Sequence, residues 1–129
     1  MNADVLVEAA LKARLNAHAP FSNFLVGAAI EAEDGQIFTG CNVENATYGL
    51  TVCAERVAVL KAVSEGVKKF KRIAVAADTE TPTPPCGACR QIIWEFLGDV
   101  PVILTNLHGK TETIQMLALL PRPFDASFL

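Results

Sequence analysis

The stretch Pro85–Arg90 places two thiols, Cys86 and Cys89, three positions apart directly after a proline. The residues that follow, 91–97, are compatible with a helix and end at Gly98, a common helix stop. We therefore predict that both thiols lie in the first turn of a helix, where this spacing lets two side chains point at one object. Such a pair fits half of a tetrahedral zinc site, a redox dithiol or two small buried residues.

A third thiol, Cys53, stands at the start of a second predicted helix. Glu55 follows two residues later within the largely apolar segment 52–63, where a charged side chain requires a specific reason. A first ligand, any residue, a glutamate and a later Pro-Cys-x-x-Cys together match the signature of zinc deaminases. We therefore predict that Cys53, Cys86 and Cys89 bind one Zn²⁺ per chain and that Glu55 is catalytic.

Three thiolates leave a fourth zinc position open for water, which is the arrangement of a catalytic rather than a structural site. Their negative charge weakens the activation of that water, so compensating positive charge is needed. The two helix N-termini and Arg56 can supply it.

The remaining sequence predicts a mixed sheet with helices on its faces. Strand, helix, strand, helix and strand in the second half indicate parallel strands joined by crossovers, whereas the first two strands form an antiparallel hairpin. Both cysteine helices are then expected on one face of the sheet. The small residues 27–29 leave room for another element to pack closely. The predicted elements are a helix at 5–17, strands at 25–30 and 36–41, a helix at 53–66, a strand at 72–77, a helix at 86–97, strands at 102–105 and 110–114, a short helix at 115–119 and an irregular tail from 121.

Composition and charge restrict the partners. The 129 residues are long enough for one core, so we expect a single domain over residues 1–129. The net charge is −3, and the one basic cluster, 68–72, is typical of a solvated turn, which disfavours nucleic acid as a partner. The hydrophobic content of 51% is high for this size and leaves apolar surface for partner subunits.

The N-terminus lacks a basic leader, and no apolar run is long enough for a membrane span. We therefore expect a cytoplasmic protein with reduced thiols and no membrane partner. The fourth cysteine, Cys41, is then expected to be a buried spare.

With these residues in view, the chain resembles the small homotetrameric cytidine deaminases over nearly its whole length. The resemblance implies a three-layer α/β/α fold with a mixed five-stranded sheet. It also implies hydrolysis of cytidine or 2′-deoxycytidine to the uridine and ammonia, in pyrimidine salvage. Phe21 and Leu25 depart from the Tyr and Pro that are commoner in the family, which affects only the expected substrate affinity. The matching motifs are Phe21–Phe24 with Val26–Ala29, then Asn42–Ala46, Cys53–Arg56, Pro85–Gln91 and Leu119–Pro121.

The resemblance also assigns roles to substrate-binding residues. It implies that Asn42 and Glu44 hold the ribose hydroxyl, that Phe24 packs against the base, and that Ala54 contacts the substrate. An amide and a carboxylate two positions apart can grip one hydroxyl as donor and acceptor. In a homotetramer, a tail aromatic ring, Phe124, would reach the neighbouring subunit's site and cover the base.

Two other functions remain open at this point. In a noncatalytic zinc module, Cys41 would close a four-thiolate site and the chain would be an interaction domain, which leaves Glu55 unexplained. Alternatively, the chain deaminates another small amine, such as a purine base or a nucleoside-like antibiotic; the pair Asn42 and Glu44 argues instead for a nucleoside sugar.

Overall fold

The computed structural model describes residues 2–129, with side chains from residue 5 onward. Four α-helices, five strands and two short 3₁₀ turns are found in these residues. In chain order they are α1 (Asn2–Arg14), β1 (Val26–Ala32), β2 (Ile37–Cys41), a 3₁₀ turn (Tyr48–Leu50), α2 (Ala54–Ser64), β3 (Phe70–Ala77), α3 (Gly87–Leu97), β4 (Pro101–Thr105), β5 (Thr111–Gln115), α4 (Met116–Leu119) and a second 3₁₀ turn (Ala126–Phe128).

The five strands form one mixed sheet in the order β2-β1-β3-β4-β5. Strand β1 is antiparallel to both β2 and β3, β3 is parallel to β4, and β5 is antiparallel to β4. Because β1 opposes both of its neighbours, β2 and β3 run in the same direction. The predicted hairpin, the parallel crossover and the mixed five-stranded sheet are therefore confirmed.

Helices cover both faces of the sheet, as expected for three layers. Alternate strand residues separate the two sides. Small residues such as Ala29, Ala74 and Ala76 pack against α1 together with Leu6 and Ala10. Larger residues face the other way and form the main core with α2 and α3; among them are Ile30, Ile73, Val75, Val59 and Ile93. Both cysteine helices thus lie on one face of the sheet, which confirms that prediction.

Two strand glycines bring helices close to the sheet. A Cβ at Gly27 would lie 2.0 Å from the carbonyl oxygen of Ala10 in α1, so the small residues of β1 do make room for a helix. A Cβ at Gly40 would lie 2.5 Å from the Ala58 nitrogen and 2.6 Å from the Ala54 oxygen in α2. No real side chain tolerates such contacts with backbone. Gly40 therefore sets how closely the first turn of α2 approaches β2.

Several predicted boundaries were wrong by a few residues. The first helix ends at Arg14, not at residue 17, because residues 15–17 donate to carbonyls three positions back and form tight turns. Strands β1 and β3 extend two residues beyond their predicted ends, to Ala32 and back to Phe70. The tail is not wholly irregular, since it contains the second 3₁₀ turn. Within the described residues, no helix has both the length and the apolarity that crossing a membrane requires.

Candidate active site

The candidate site lies at the sheet edge where β2 and β3 end. Both strands run in the same direction, so their carboxyl ends meet at one edge, together with the start of the antiparallel β1. Each strand is followed by a loop and then by a helix, α2 after β2 and α3 after β3. The N-termini of both helices therefore converge on the same place.

Three thiols meet at these helix starts. Cys53 is the N-cap residue of α2 and Cys86 is the N-cap residue of α3, both with extended backbone, while Cys89 lies in the first turn of α3. Cys89 is fully buried and Cys86 is exposed. The three Sγ atoms all lie within 4.8 Å of one another. Cys41 is not a member of this group, although a closed four-thiolate site would need it there.

The surroundings stabilise negative charge on Cys53. A hydrogen bond from the Cys89 thiol, and then the Arg56 guanidinium, lower the pKa of Cys53 to about 5. The same hydrogen bond to Cys53, and then burial, raise the pKa of the Cys89 thiol. The Arg56 Nη2 atom lies 4.0 Å from the Cys53 Sγ and 3.0 Å from the Thr51 oxygen. Arg56 thus lies where charge compensation was predicted, and two helix N-termini add to its field.

The donor set fits zinc. Tetrahedral zinc with Zn–S bonds of about 2.3 Å requires sulfurs about 3.8 Å apart, which a cluster within 4.8 Å provides with small adjustments. A thiolate-rich set is the ligand type that selects zinc among divalent ions of the first row. Cys53, Cys86 and Cys89 are therefore the residues that would hold the metal.

Glu55 lies in the first turn of α2 and is only 5% exposed. Burial raises the pKa of this carboxyl to about 7, and the neighbouring Cys53 contributes in the same direction. Within the described part of the chain, the carboxylate forms no hydrogen bond with the side chain of another residue. A buried acid to which no other side chain is hydrogen-bonded is typical of a functional site.

A cavity of about 210 Å³, which we call the thiol cavity, is lined both by the thiols and Glu55 and by predicted substrate-binding residues. Its lining includes Cys53, Cys86 and Glu55, and also three of the predicted substrate-binding residues, Phe24, Asn42 and Ala54. A second cavity of about 350 Å³ adjoins it, because Thr51 lines both. Together they fall within the volume range of small-molecule sites, about 300–1,000 Å³. The site is therefore large enough for a small polar molecule beside the thiols.

The predicted pair Asn42 and Glu44 is divided between the two cavities. Asn42 is 8% exposed; its Oδ1 accepts from the Val26 nitrogen at 2.9 Å and its Nδ2 donates to the Phe24 oxygen at 2.8 Å. Glu44 lines the second cavity. Its carboxylate accepts from the Ser22 hydroxyl and from the backbone of residues 21 and 22, and the Ser22 hydroxyl is the largest cause of its lowered pKa.

The structure does not bring Phe124 to the cavity of its own chain. Its ring is 59% exposed and stacks on Phe128.

Sequence reasoning missed two threonines that line the thiol cavity, Thr51 and Thr83. Each stands within a few residues of a metal-type cysteine, and proximity to Cys53 or Cys86 was the available signal.

Three thiols and a buried glutamate at one sheet edge, in a three-layer α/β/α fold, define a zinc-dependent deaminase. Residues 1–105 match the family described as the cytidine and deoxycytidylate deaminase zinc-binding region. The chain belongs to this family.

Individual relatives agree with this assignment. The chain is 54% identical to the cytidine deaminase of Sporosarcina psychrophila over 126 residues, which cover 97% of this chain and 93% of that protein. It is 49% identical to the cytidine deaminase of Halalkalibacterium halodurans, covering 98% and 96% of the two chains. The crystal structure of cytidine deaminase from Burkholderia pseudomallei superposes with a TM-score of 0.93 at 47% identity, covering 96% of this chain and all of that one.

Proposed function

We propose that this chain, as a single catalytic domain, hydrolyses cytidine and 2′-deoxycytidine to uridine and 2′-deoxyuridine with release of ammonia. The observation that carries the proposal is the buried Glu55 carboxylate, which lines one cavity with Cys53 and Cys86. Relatives that match nearly the whole chain are cytidine deaminases, which supports the same reaction.

The residues present match the chemistry that such a hydrolysis requires. Zinc held by the three thiols supplies Lewis acidity, which makes water a better nucleophile. Glu55 takes a proton from the attacking water as the oxygen bonds to C4 of the base. The same carboxyl gives this proton to N3, then takes the second proton from the new C4 hydroxyl and gives it to the amine, so that C4=O forms, the C4–N bond breaks and ammonia leaves. Phe24 and Ala54 line the part of the cavity in which the base would lie.

The cavity composition favours a nucleoside over a nucleotide. The family description includes deoxycytidylate deaminases, whose substrate carries a phosphate. Among the described residues that line the two cavities there is no Lys, Arg or His, and the groups there that ionise, such as Glu44, Glu55 and the Cys53 thiol, become negative. A phosphate would therefore meet negative charge without a cationic partner.

The test is zinc content per chain together with the ultraviolet change on adding cytidine, with deoxycytidine, deoxycytidylate, cytosine and adenosine as parallel substrates. We expect about one zinc per chain and turnover of the two nucleosides alone. Bound zinc without turnover of any of these substrates would favour the noncatalytic module. Turnover of adenosine or cytosine at the rate of cytidine would favour the broader amine deaminase.

Asn42 and Glu44 are expected to act mainly on nucleoside binding. Asn42→Ala removes a buried amide, so we expect it to weaken binding by about 1–3 kcal/mol. Glu44→Gln keeps the shape of a half-buried side chain while removing its charge, and a smaller rise in KM is expected. Both changes should raise KM for cytidine more than they lower kcat, because neither group touches the reacting atoms.

Asn106→Ala is the matched control for Asn42→Ala. Asn106 is also buried, at 2% exposure, and its amide bonds to Glu80, His108 and Lys110 without lining the thiol cavity. It should reduce the melting temperature while leaving KM within about twofold of the parent. If both Asn42→Ala and Glu44→Gln kept the parental KM, the proposal that these residues hold the ribose hydroxyl would be wrong.

The same proposal includes a homotetramer that acts in the cytoplasm in pyrimidine salvage, in which Phe124 covers the base in the neighbouring subunit's site. The exposure of Phe124 and Phe128 in a chain with 51% hydrophobic residues supports burial against another subunit. Light scattering is expected to give about four times 13.8 kDa. A monomer with full cytidine turnover would show that one chain contains the complete site.

A further inference from the structure

Helix α3 holds the C-terminal tail through two side chains on one surface. The Gln91 Nε2 atom donates to the Phe124 oxygen at 2.6 Å, and the Trp94 Nε1 atom donates to the Asp125 Oδ2 at 3.0 Å. Positions three apart on a helix are neighbours on its surface, so both bonds belong to one contact region. Helix α3, which begins at Cys86 and Cys89, is therefore also hydrogen-bonded to the tail.

A third bond fixes the place where the tail begins. Arg90 Nε donates to the Pro85 oxygen at 2.8 Å, and Arg90 Nη1 donates to the Leu119 oxygen at 2.8 Å. One guanidinium thus connects the loop that delivers Cys86 with the end of α4. Its planar fork suits such a double attachment.

Asp125 uses both carboxylate oxygens. Oδ1 accepts from the Ser127 nitrogen at 2.9 Å and from the Ser127 hydroxyl at 2.5 Å, and Oδ2 accepts from Trp94. The Ser127 hydroxyl and then the Trp94 indole lower the pKa of Asp125, so it is a carboxylate at neutral pH. The same side chain starts the last 3₁₀ turn and ties this turn to α3.

The held segment presents two stacked rings to the outside. The ring centroids of Phe124 and Phe128 are 5.8 Å apart with planes at 12°, and the residues are 59% and 70% exposed. Arg122, just before them, has φ of 54°, a region that L-residues disfavour. Such a conformation persists where surrounding contacts impose it. The tail direction is therefore set by its bonds to α3 rather than by local preference.

We propose that Trp94 and Asp125 are positioning residues, which hold the Phe124–Phe128 ring pair in the orientation that a second copy's nucleoside site accepts. This inference rests on the proposed function, in which a tail ring covers the neighbouring base. A tail that is ordered in advance avoids the conformational entropy that a mobile tail would lose at each closure. Loss of the Trp94–Asp125 bond therefore weakens substrate binding without touching the reacting atoms.

The test uses Asp125→Ala and Trp94→Phe in the zinc-loaded protein. Each is expected to raise KM for cytidine about threefold to tenfold with kcat changed less than about twofold. Asp125→Asn keeps one oxygen that can accept from the indole but loses the acceptor for Ser127, so its KM should lie closer to the parental value than that of Asp125→Ala. A purely structural role for Asp125 predicts instead a loss of stability with the parental KM.

Trp94 is the single tryptophan of the chain and reports the tail directly, without substrate. Asp125→Ala should shift its emission to longer wavelength and increase quenching by acrylamide, because the half-buried indole loses its Asp125 partner and its Nε1 atom becomes free to bond to water. Asp125→Asn, which keeps one acceptor oxygen, should bring the spectrum back toward that of the parent. An Asp125→Ala spectrum identical to the parent would overturn the attachment of the tail.

Gln91→Met and Gln115→Met form a matched pair. Each removes a side-chain amide that donates to a backbone oxygen, that of Phe124 in the first and that of Asp99, at 3.1 Å, in the second. The first should raise KM and the second should leave it within about twofold. A displaced tail with parental KM in Asp125→Ala would overturn the positioning role. Absence of cytidine turnover in the parent would instead reject the proposed function, while the tryptophan signal would still decide whether α3 holds the tail.

Discussion

Replacing Glu55 with glutamine is expected to remove nearly all cytidine turnover while zinc stays bound. Glutamine has almost the same shape and fills the same buried position in the first turn of α2, but it cannot accept and release the proton. General acid–base catalysis by one side chain contributes about 10²–10⁴-fold. We therefore expect kcat to fall by about a thousandfold, measured by the ultraviolet assay, with metal content determined on the same sample.

The matched control is Glu31→Gln. Glu31 is also a buried glutamate, at 7% exposure, but its carboxylate pairs with the Arg72 Nε atom at 2.7 Å and lies outside the thiol cavity. This change should reduce stability and leave kcat close to that of the parent. If Glu55→Gln retained activity within about tenfold of the parent, Glu55 would not be the proton shuttle.

Single replacements of the four cysteines by serine are expected to divide into two groups. Cys53→Ser, Cys86→Ser and Cys89→Ser should each lose most of the zinc and essentially all turnover, because a catalytic site requires all three protein ligands. Cys41→Ser should retain both, since Cys41 is outside the group of thiols within 4.8 Å of one another. Metal analysis and the cytidine assay on each variant measure the two effects.

Cys41→Ser is also the control for this series, because it removes a half-buried thiol without altering the cluster. Loss of zinc in this variant would contradict a three-ligand site and would restore the closed four-thiolate alternative. Retention of full zinc in any of the other three would exclude that cysteine as a ligand.

Much of the site could be predicted because its signals are local. Cys86 and Cys89 are three positions apart after a proline, and helix geometry alone brings such a pair together. Glu55 was identifiable because a charge in an apolar helix start requires a reason. The placement of both cysteine helices on one face of the sheet followed from the rule for crossovers. The C-terminal end of α1 was predicted less well because the tight turns after Arg14 depend on backbone bonds that leave no clear mark in the sequence.

Other features depend on neighbours that are distant in the chain. Nothing near Asn42 indicates that its amide holds the backbone of Val26 and Phe24, or that Glu44 turns toward residues 21 and 22. The attachment of Asp125 to Trp94 joins two residues with no common motif. These contacts arise only when β1, the loop after β2, α3 and the tail are brought side by side.

The sequence by itself therefore determined which thiols form the candidate metal site, which buried carboxyl is the candidate for proton transfer, and the class of fold, since each follows from short spacing, periodicity or chain direction. Only the tertiary structure decided how Cys53 comes close to Cys86 and Cys89 at the start of α3. It also decided which loop side chains line the cavity and where the tail lies. The physical reason is that helix and strand geometry act over a few residues. The meeting of α2 and α3 depends on how Gly40 and the alternating small and large strand residues let the helices approach the sheet.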